Sequence, residues 1–218
     1  MTPGERARQI DQYAAGPARL RAALATVPAE AMKWRPALGE WSAHEVILHC
    51  ADSETTSCVR LRFLLAEPEP LLVGYDQERW AVALDYHGLP LEPALAAVEA
   101  VRANTVPLLR RLPEEAWQRT GRHTESGAYG VLDWLRIYAE HLEGHSRQIE
   151  QNVAAWSARP RQDACAGPEA WGIRVPPFRP STRSDGTTRR PQSRRRRAPR
   201  EGRPAPARRG AGRLLRPA

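Results

Sequence analysis

Two imidazoles one helical turn apart carry the clearest chemical signal in the chain: His141 and His145, within the run from Trp134 to Asn152. Leu135, Leu142, Ile149 and Trp156 share heptad spacing and mark an apolar seam, which predicts an amphipathic helix. At about 100° per residue both histidines fall beside that seam and away from the charged face of Glu143, Arg147 and Glu150. Four residues rise about 6 Å along a helix, so two side chains tilted the same way reach one ion at about 2.1 Å. A third ligand would complete a site. Taken alone, H-x-x-x-H describes a chance pair of half-buried side chains more often than a metal centre. The protease pattern H-E-x-x-H is absent, because Glu143 sits about 200° round the helix from His141.

The elements that must position these groups are legible as helices. Thr2-Pro3-Gly4-Glu5 reads as a capping box with proline at the first helical position, opening a helix through Ile10, Tyr13, Leu20 and Leu24 to about Thr26. Trp34 and Trp41 lie in a Pro/Gly-punctuated loop. Ser42 and Glu45 form a second capping box, starting a helix to about Ala66 that buries Val46, Cys50, Leu61 and Leu64. His49 stands about 60° from the centre of that stripe, on a flank like that of His141 and His145, with Glu45 one turn before it. His44, at the cap, is expected to be exposed. Residues 67–90 form a connection too long for a tight turn, with a short helix over Asp76 to Leu84. A third long helix runs from Leu91 to Leu112, and residues 113–130 read as a glycine-rich loop into the fourth. No segment alternates convincingly as a strand, and His87 and His123 read as loop residues. The fold class expected is all-α: a four-helix bundle with one long crossover connection, followed by a disordered C-terminal tail.

Charge locates the start of that tail. Residues 1–156 carry a net charge of −5, whereas residues 157–218 hold 17 Arg against 4 acids, net +13, and ten prolines. The tail buries too little apolar surface to offset its ordering entropy. Domains are therefore expected over 1–156, the bundle, and 157–218, an Arg/Pro-rich tail. Cys50, Cys58 and Cys165 lack C-x-x-C spacing and suggest reduced thiols in a cytoplasmic protein. The N-terminus has no apolar signal region and no run approaches the ~20 residues of a membrane span.

The chain resembles the DinB-like (DinB/YfiT-like) family of bacterial metal-binding helical bundles over about residues 5–155. The likeness rests on Trp41 to His49 and Asp52-Ser53-Glu54 in the second helix, Arg60 and Arg62 after it, Asp76-Gln77 and Trp80 in the crossover, and His141-x-x-x-His145-x-x-Gln148-Ile149. It implies a four-helix bundle in which one histidine of the second helix and two of the fourth hold a divalent metal, matching His49, His141 and His145. Three neutral imidazoles leave positions open on the ion, the pattern of a catalytic site. Zinc or nickel fits the ligands best, with iron and manganese compatible.

Two chemistries can use such a site. A thiol S-transferase, the activity associated with relatives that use bacillithiol, mycothiol or glutathione, takes a small-molecule thiol and an electrophilic substrate and needs an open pocket. A metal-dependent hydrolase needs a carboxylate as base, for which Glu45 is the candidate, although its capping role alone accounts for a glutamate there. Asp52 and Glu54 read as solvated helix charges able to orient a ligand histidine. A homodimer is the assembly allowed for. The contrasting readings are a non-enzymatic bundle stabilised by its metal, or non-specific binding of nucleic acid through the tail. Lys33 is the single lysine, so arginine preference is general in this chain. Arg, Pro, Ala and Gly are also what G+C-rich codons encode, so a frame-shifted extension is the rival account of the tail.

Overall fold

Five α-helices and a small sheet make up the structure, a computed structural model that describes residues 1–160. The helices are α1 (Pro3–Ala25), α2 (Ala43–Ala66), α3 (Gln77–Ala83), α4 (Leu91–Arg110) and α5 (Val131–Ala158), and the strands are β1 (Leu71–Leu72), β2 (Thr120–His123) and β3 (Gly127–Gly130). The tail expected over 157–218 lies outside the described residues from 161 onward. Its first two residues, Ser157 and Ala158, continue α5, so the helix passes the expected boundary.

Local chemistry explains where the first two long helices begin. The Thr2 hydroxyl accepts from the Glu5 N–H and the Glu5 carboxylate accepts from the Thr2 N–H; Ser42 and Glu45 repeat the arrangement at α2. α1 packs on α4 and α5, and α2 packs on the same two helices. The consecutive helices α1 and α2 therefore sit diagonally in a four-helix bundle, which requires long connections between them and onward. The short helix expected inside the crossover is present as α3.

The sheet was not expected. β1 pairs parallel with β2, and β2 pairs antiparallel with β3. These strands are too short to show alternation, and β2 and β3 lie in a segment whose glycines signal loop. Gly121 has a specific reason: a Cβ there would stand 2.6 Å from the Pro70 carbonyl oxygen, so only glycine lets the two backbones meet. Through this sheet the segment after α2 is pinned to the hairpin before α5, which places Val73 and Tyr75 beside α2.

The core has two apolar clusters. Leu20, Ile47, Val98, Leu142 and Ile149 belong to one; Ile10, Tyr13, Leu61, Leu109, Trp134 and Leu135 belong to the other. Along every long helix the residues between these clusters include buried polar groups or glycine: Gly16 on α1, His49, Ser53, Glu54 and Ser57 on α2, Arg102 and Thr105 on α4, His141 on α5. A polar stratum thus crosses the middle of the bundle. Buried polar groups need partners, so this layer is where function must be sought.

Candidate metal centre

His49 on α2 and His141 and His145 on α5 meet in that stratum, each offering one ring nitrogen within 4.8 Å of the others'. Ring centroids are 5.5 Å apart for His49 and His141, 4.8 Å for His49 and His145, and 4.7 Å for His141 and His145. Three nitrogens about 2.1 Å from one tetrahedral ion stand about 3.4 Å apart, so small side-chain rotations close the site.

The protonation state suits a cation. Burial, then the neighbouring His145 and His141, holds the His49 pKa well below its usual value, so the ring is neutral and has a lone pair to give. Both His49 ring nitrogens are buried without a hydrogen-bond partner, although the ring packs 4.7 Å from Trp41. A buried histidine with neither nitrogen satisfied, turned to two further imidazoles, fits a divalent ion.

The other two rings are oriented from behind. His141 Nδ1 lies 3.3 Å from Glu54 Oε1, and His145 Nδ1 lies 2.9 Å from Gln148 Oε1. When these nitrogens donate, each Nε2 keeps its lone pair for a metal. Glu54 is fully buried and bound by Arg102, whose Nε and Nη2 donate to its two oxygens at 3.0 and 2.6 Å. Burial opposes charge on Glu54, but Arg102 and His141 outweigh it and hold its pKa below the usual carboxylate range. Arg102 is itself clamped by the carbonyls of Tyr13 and Tyr138. The Ser53 hydroxyl stands 3.3 Å from His141 Nε2, on the side where an ion would bind.

Other sequence candidates fall elsewhere. The Glu45 carboxylate bonds the Ser42 N–H and hydroxyl at 3.0 and 2.9 Å and the Arg35 Nε at 2.8 Å, and lies 3.3 Å from His87 Nε2. Its contacts are those of a cap and of an ion pair with the half-exposed Arg35, and none is with the three histidines. His44 is buried and not exposed: its Nε2 reaches the Leu89 carbonyl at 2.9 Å, because the crossover folds back over the start of α2. His123 is a buried strand residue, and the backbone N–H of Glu125 reaches its Nδ1 at 3.3 Å. Asp52 accepts from the Tyr86 hydroxyl at 2.6 Å. Glu54, read as a solvated charge, is the most buried carboxylate of the layer, and only its partner on α4, distant in sequence, reveals that. Gln148, three residues after His145, was within reach of helical spacing. Cys50 and Cys58 are free thiols, and Cys165 lies outside the described residues.

A small sheet on a diagonal four-helix bundle, with one histidine from the second long helix and two from the last, defines a class that sequence comparison names. The profile of the DinB superfamily matches residues 12–149, and the chain belongs to that family. Among its relatives, a protein of Oceanobacillus iheyensis named "Putative metal-dependent hydrolase OB0782" is 36% identical over 111 residues, 51% of this chain and 64% of that protein. A Bacillus cereus protein with the same functional name is 30% identical over 112 residues, again 51% and 64%. The chain thus spans somewhat under two thirds of the length of these curated relatives. The solved structure of YfiT from Bacillus subtilis, described as a probable metal-dependent hydrolase with an unusual four-helix bundle topology, matches with a TM-score of 0.68 and 22% identity, covering 72% of this chain and 90% of that one. That likeness establishes the fold. No helix among the described residues is long and apolar enough to cross a membrane.

Proposed function

We propose that this protein is a metal-dependent enzyme acting on small molecules, and that thiol S-transfer is the chemistry its site supports best. The carrying observation is the group of three imidazoles with both His49 nitrogens unsatisfied, beside carboxylates that are already engaged. A divalent ion held by His49, His141 and His145 would supply a Lewis-acid centre with open positions, favouring the anionic form of a thiol or water that enters. Zinc or nickel suits the ligand set, with iron or manganese as substitutes.

The chain's own residues define the rest. Glu54 and Gln148 fix the tautomers and the aim of His141 and His145. Ser53 presents a hydroxyl next to His141. Residues Ile137, Glu140, Gly144 and Arg147 line a depression together with the buried His141 and the partly buried His145, the side from which a small thiol and its electrophile would approach. Glu54 is saturated by Arg102, and Glu45 is saturated at the cap, so neither carboxylate is placed to relay a proton from water. The hydrolase reading draws its support from the names of the relatives.

Cobalt substitution tests the two against each other. Thiols such as bacillithiol, mycothiol or glutathione are expected to change the visible spectrum of the cobalt protein as sulfur enters an open position. If none does so, while the zinc protein hydrolyses small esters or amides, the hydrolase reading takes its place. If neither occurs and metal only raises the melting temperature, the metal is structural.

A further inference from the structure

Three arginines are buried among the described residues, Arg6, Arg60 and Arg102. Arg102 is neutralised by Glu54 and Arg6 by Glu114. Arg60, only 6% exposed, has no carboxylate within ion-pairing distance among the described residues. Its Nη2 donates to the Val73 carbonyl at 2.7 Å, the guanidinium approaches the Tyr138 phenol, and it lies 5.8 Å from the Tyr75 ring centroid. A buried guanidinium without a counter-ion is costly, and native proteins keep buried charges paired.

The surroundings match an anion. The hydroxyls of Tyr75 and Tyr138 are buried and have no hydrogen-bond partner. Both phenols lie near the Ser53 hydroxyl and in the field of Arg60, and Tyr138 also comes close to the guanidinium itself. Burial keeps these phenols protonated, hence able to donate. The acids nearby are spoken for: Asp52 holds the Tyr86 hydroxyl, Asp133 pairs with Arg136, and Glu54 is bound by Arg102.

This cluster adjoins the three histidines. Ser53 touches His141, and the Tyr138 ring is 5.4 Å from that of His141. Arg60 follows Ser53 by two helical turns on the same face of α2, and helical side chains lean toward the N-terminus, the direction in which Ser53 lies.

We infer that Arg60, with the Tyr75 and Tyr138 hydroxyls, is the docking site for a carboxylate of the substrate, holding it while another part of the same small molecule lies at the three histidines. This rests on the proposed function for what happens at the metal, but the carboxylate site is formed by side chains alone and is testable without metal. A guanidinium makes paired, charge-assisted bonds to a carboxylate that a neutral amide cannot reproduce.

The test is a titration of the full-length protein, metal-free and zinc-loaded, with propionate and with its neutral isostere propionamide, followed by NMR of the Arg60 side-chain Nε–H. Propionate is expected to bind about tenfold or more tighter in both states and to shift that resonance. Arg60→Gln should abolish the preference without changing the zinc content, and Tyr75→Phe should weaken propionate binding severalfold. Equal affinity for the two probes, or a preference kept by Arg60→Gln, overturns the inference. If Arg60→Gln fails to fold, Tyr75→Phe decides alone: unchanged propionate binding overturns the site. Loss of zinc stoichiometry in the wild type, read separately by metal analysis, would instead overturn the proposed function.

Discussion

His141 Nδ1 and Glu54 Oε1 stand 3.3 Å apart at the centre of the bundle, joining α5 to α2 directly behind the face that His141 turns to the other imidazoles. The same carboxylate neutralises Arg102, so one side chain both orients His141 and satisfies a buried cation. Replacing Glu54 by Gln keeps the shape and removes the charge. Metal affinity is expected to fall about 10- to 100-fold, as for other carboxylates behind ligand histidines. Stability should fall by about 3 kcal/mol, because Arg102 is left buried and unpaired. A metal competition titration and a denaturant melt read the two effects separately; intact affinity in a destabilised protein would reduce Glu54 to a structural role.

Each of His49→Ala, His141→Ala and His145→Ala is expected to reduce bound metal to near zero, since two imidazoles make a far weaker site than three. His123→Ala should lower stability yet leave stoichiometry unchanged, because its Nδ1 serves the turn at Glu125 and Ser126. Metal analysis of the purified variants decides. A variant of the three that keeps its metal would dissolve the proposed ligand set.

Much of this was legible because it is local. Thr2 and Ser42 each announce a helix three residues ahead of a glutamate, and helical geometry alone places His141 beside His145. The link from His49 to that pair came from family resemblance, since no periodicity connects helices so far apart in sequence. What stayed hidden depends on pairing across the bundle. Glu54 looks like any helix charge until Arg102 arrives from α4, and Glu45 satisfies the capping pattern whether or not Arg35 closes over it. His44 looked exposed because the crossover that covers it, ending at Leu89, has no pattern that predicts where it lies. The sheet was invisible for a related reason: strands of two to four residues carry too few positions to alternate.

His44 gives stability a pH dependence of definite sign. Burial holds its pKa below the usual 6.5, with the Leu89 carbonyl as partial compensation and Lys33 and His87 adding repulsion. The unfolded chain therefore takes up this proton first as pH falls. Its contribution to stability is full above about pH 6.5 and is lost as pH drops from there toward the folded value. His44→Gln retains an N–H for the Leu89 carbonyl and removes the titration. Denaturant melts between pH 7.5 and 5.5 should show a smaller loss for this variant than for the wild type. Parallel curves would show that His44 is not the group responsible.

Gly16 tests whether the polar layer is rigid. A Cβ at this position on α1 would stand 2.4 Å from Arg102 Nη1 and 3.1 Å from Leu142 Cβ. An arginine tip normally swings aside at little cost, but this one is held by both Glu54 oxygens and the carbonyls of Tyr13 and Tyr138. Alanine should gain about 1 kcal/mol of helix propensity over glycine and lose more to overpacking, typically 1–3 kcal/mol. Gly16→Ala is therefore expected to be destabilising on balance. Because displacing Arg102 drags Glu54 with it, the orientation of His141 should suffer too, and metal affinity should fall although residue 16 touches no ligand. A denaturant melt and a metal competition titration on the same preparation read both effects. A variant that is more stable than the wild type, with unchanged affinity, would mean that Arg102 moves freely and that the clamp on His141 is looser than its hydrogen bonds indicate.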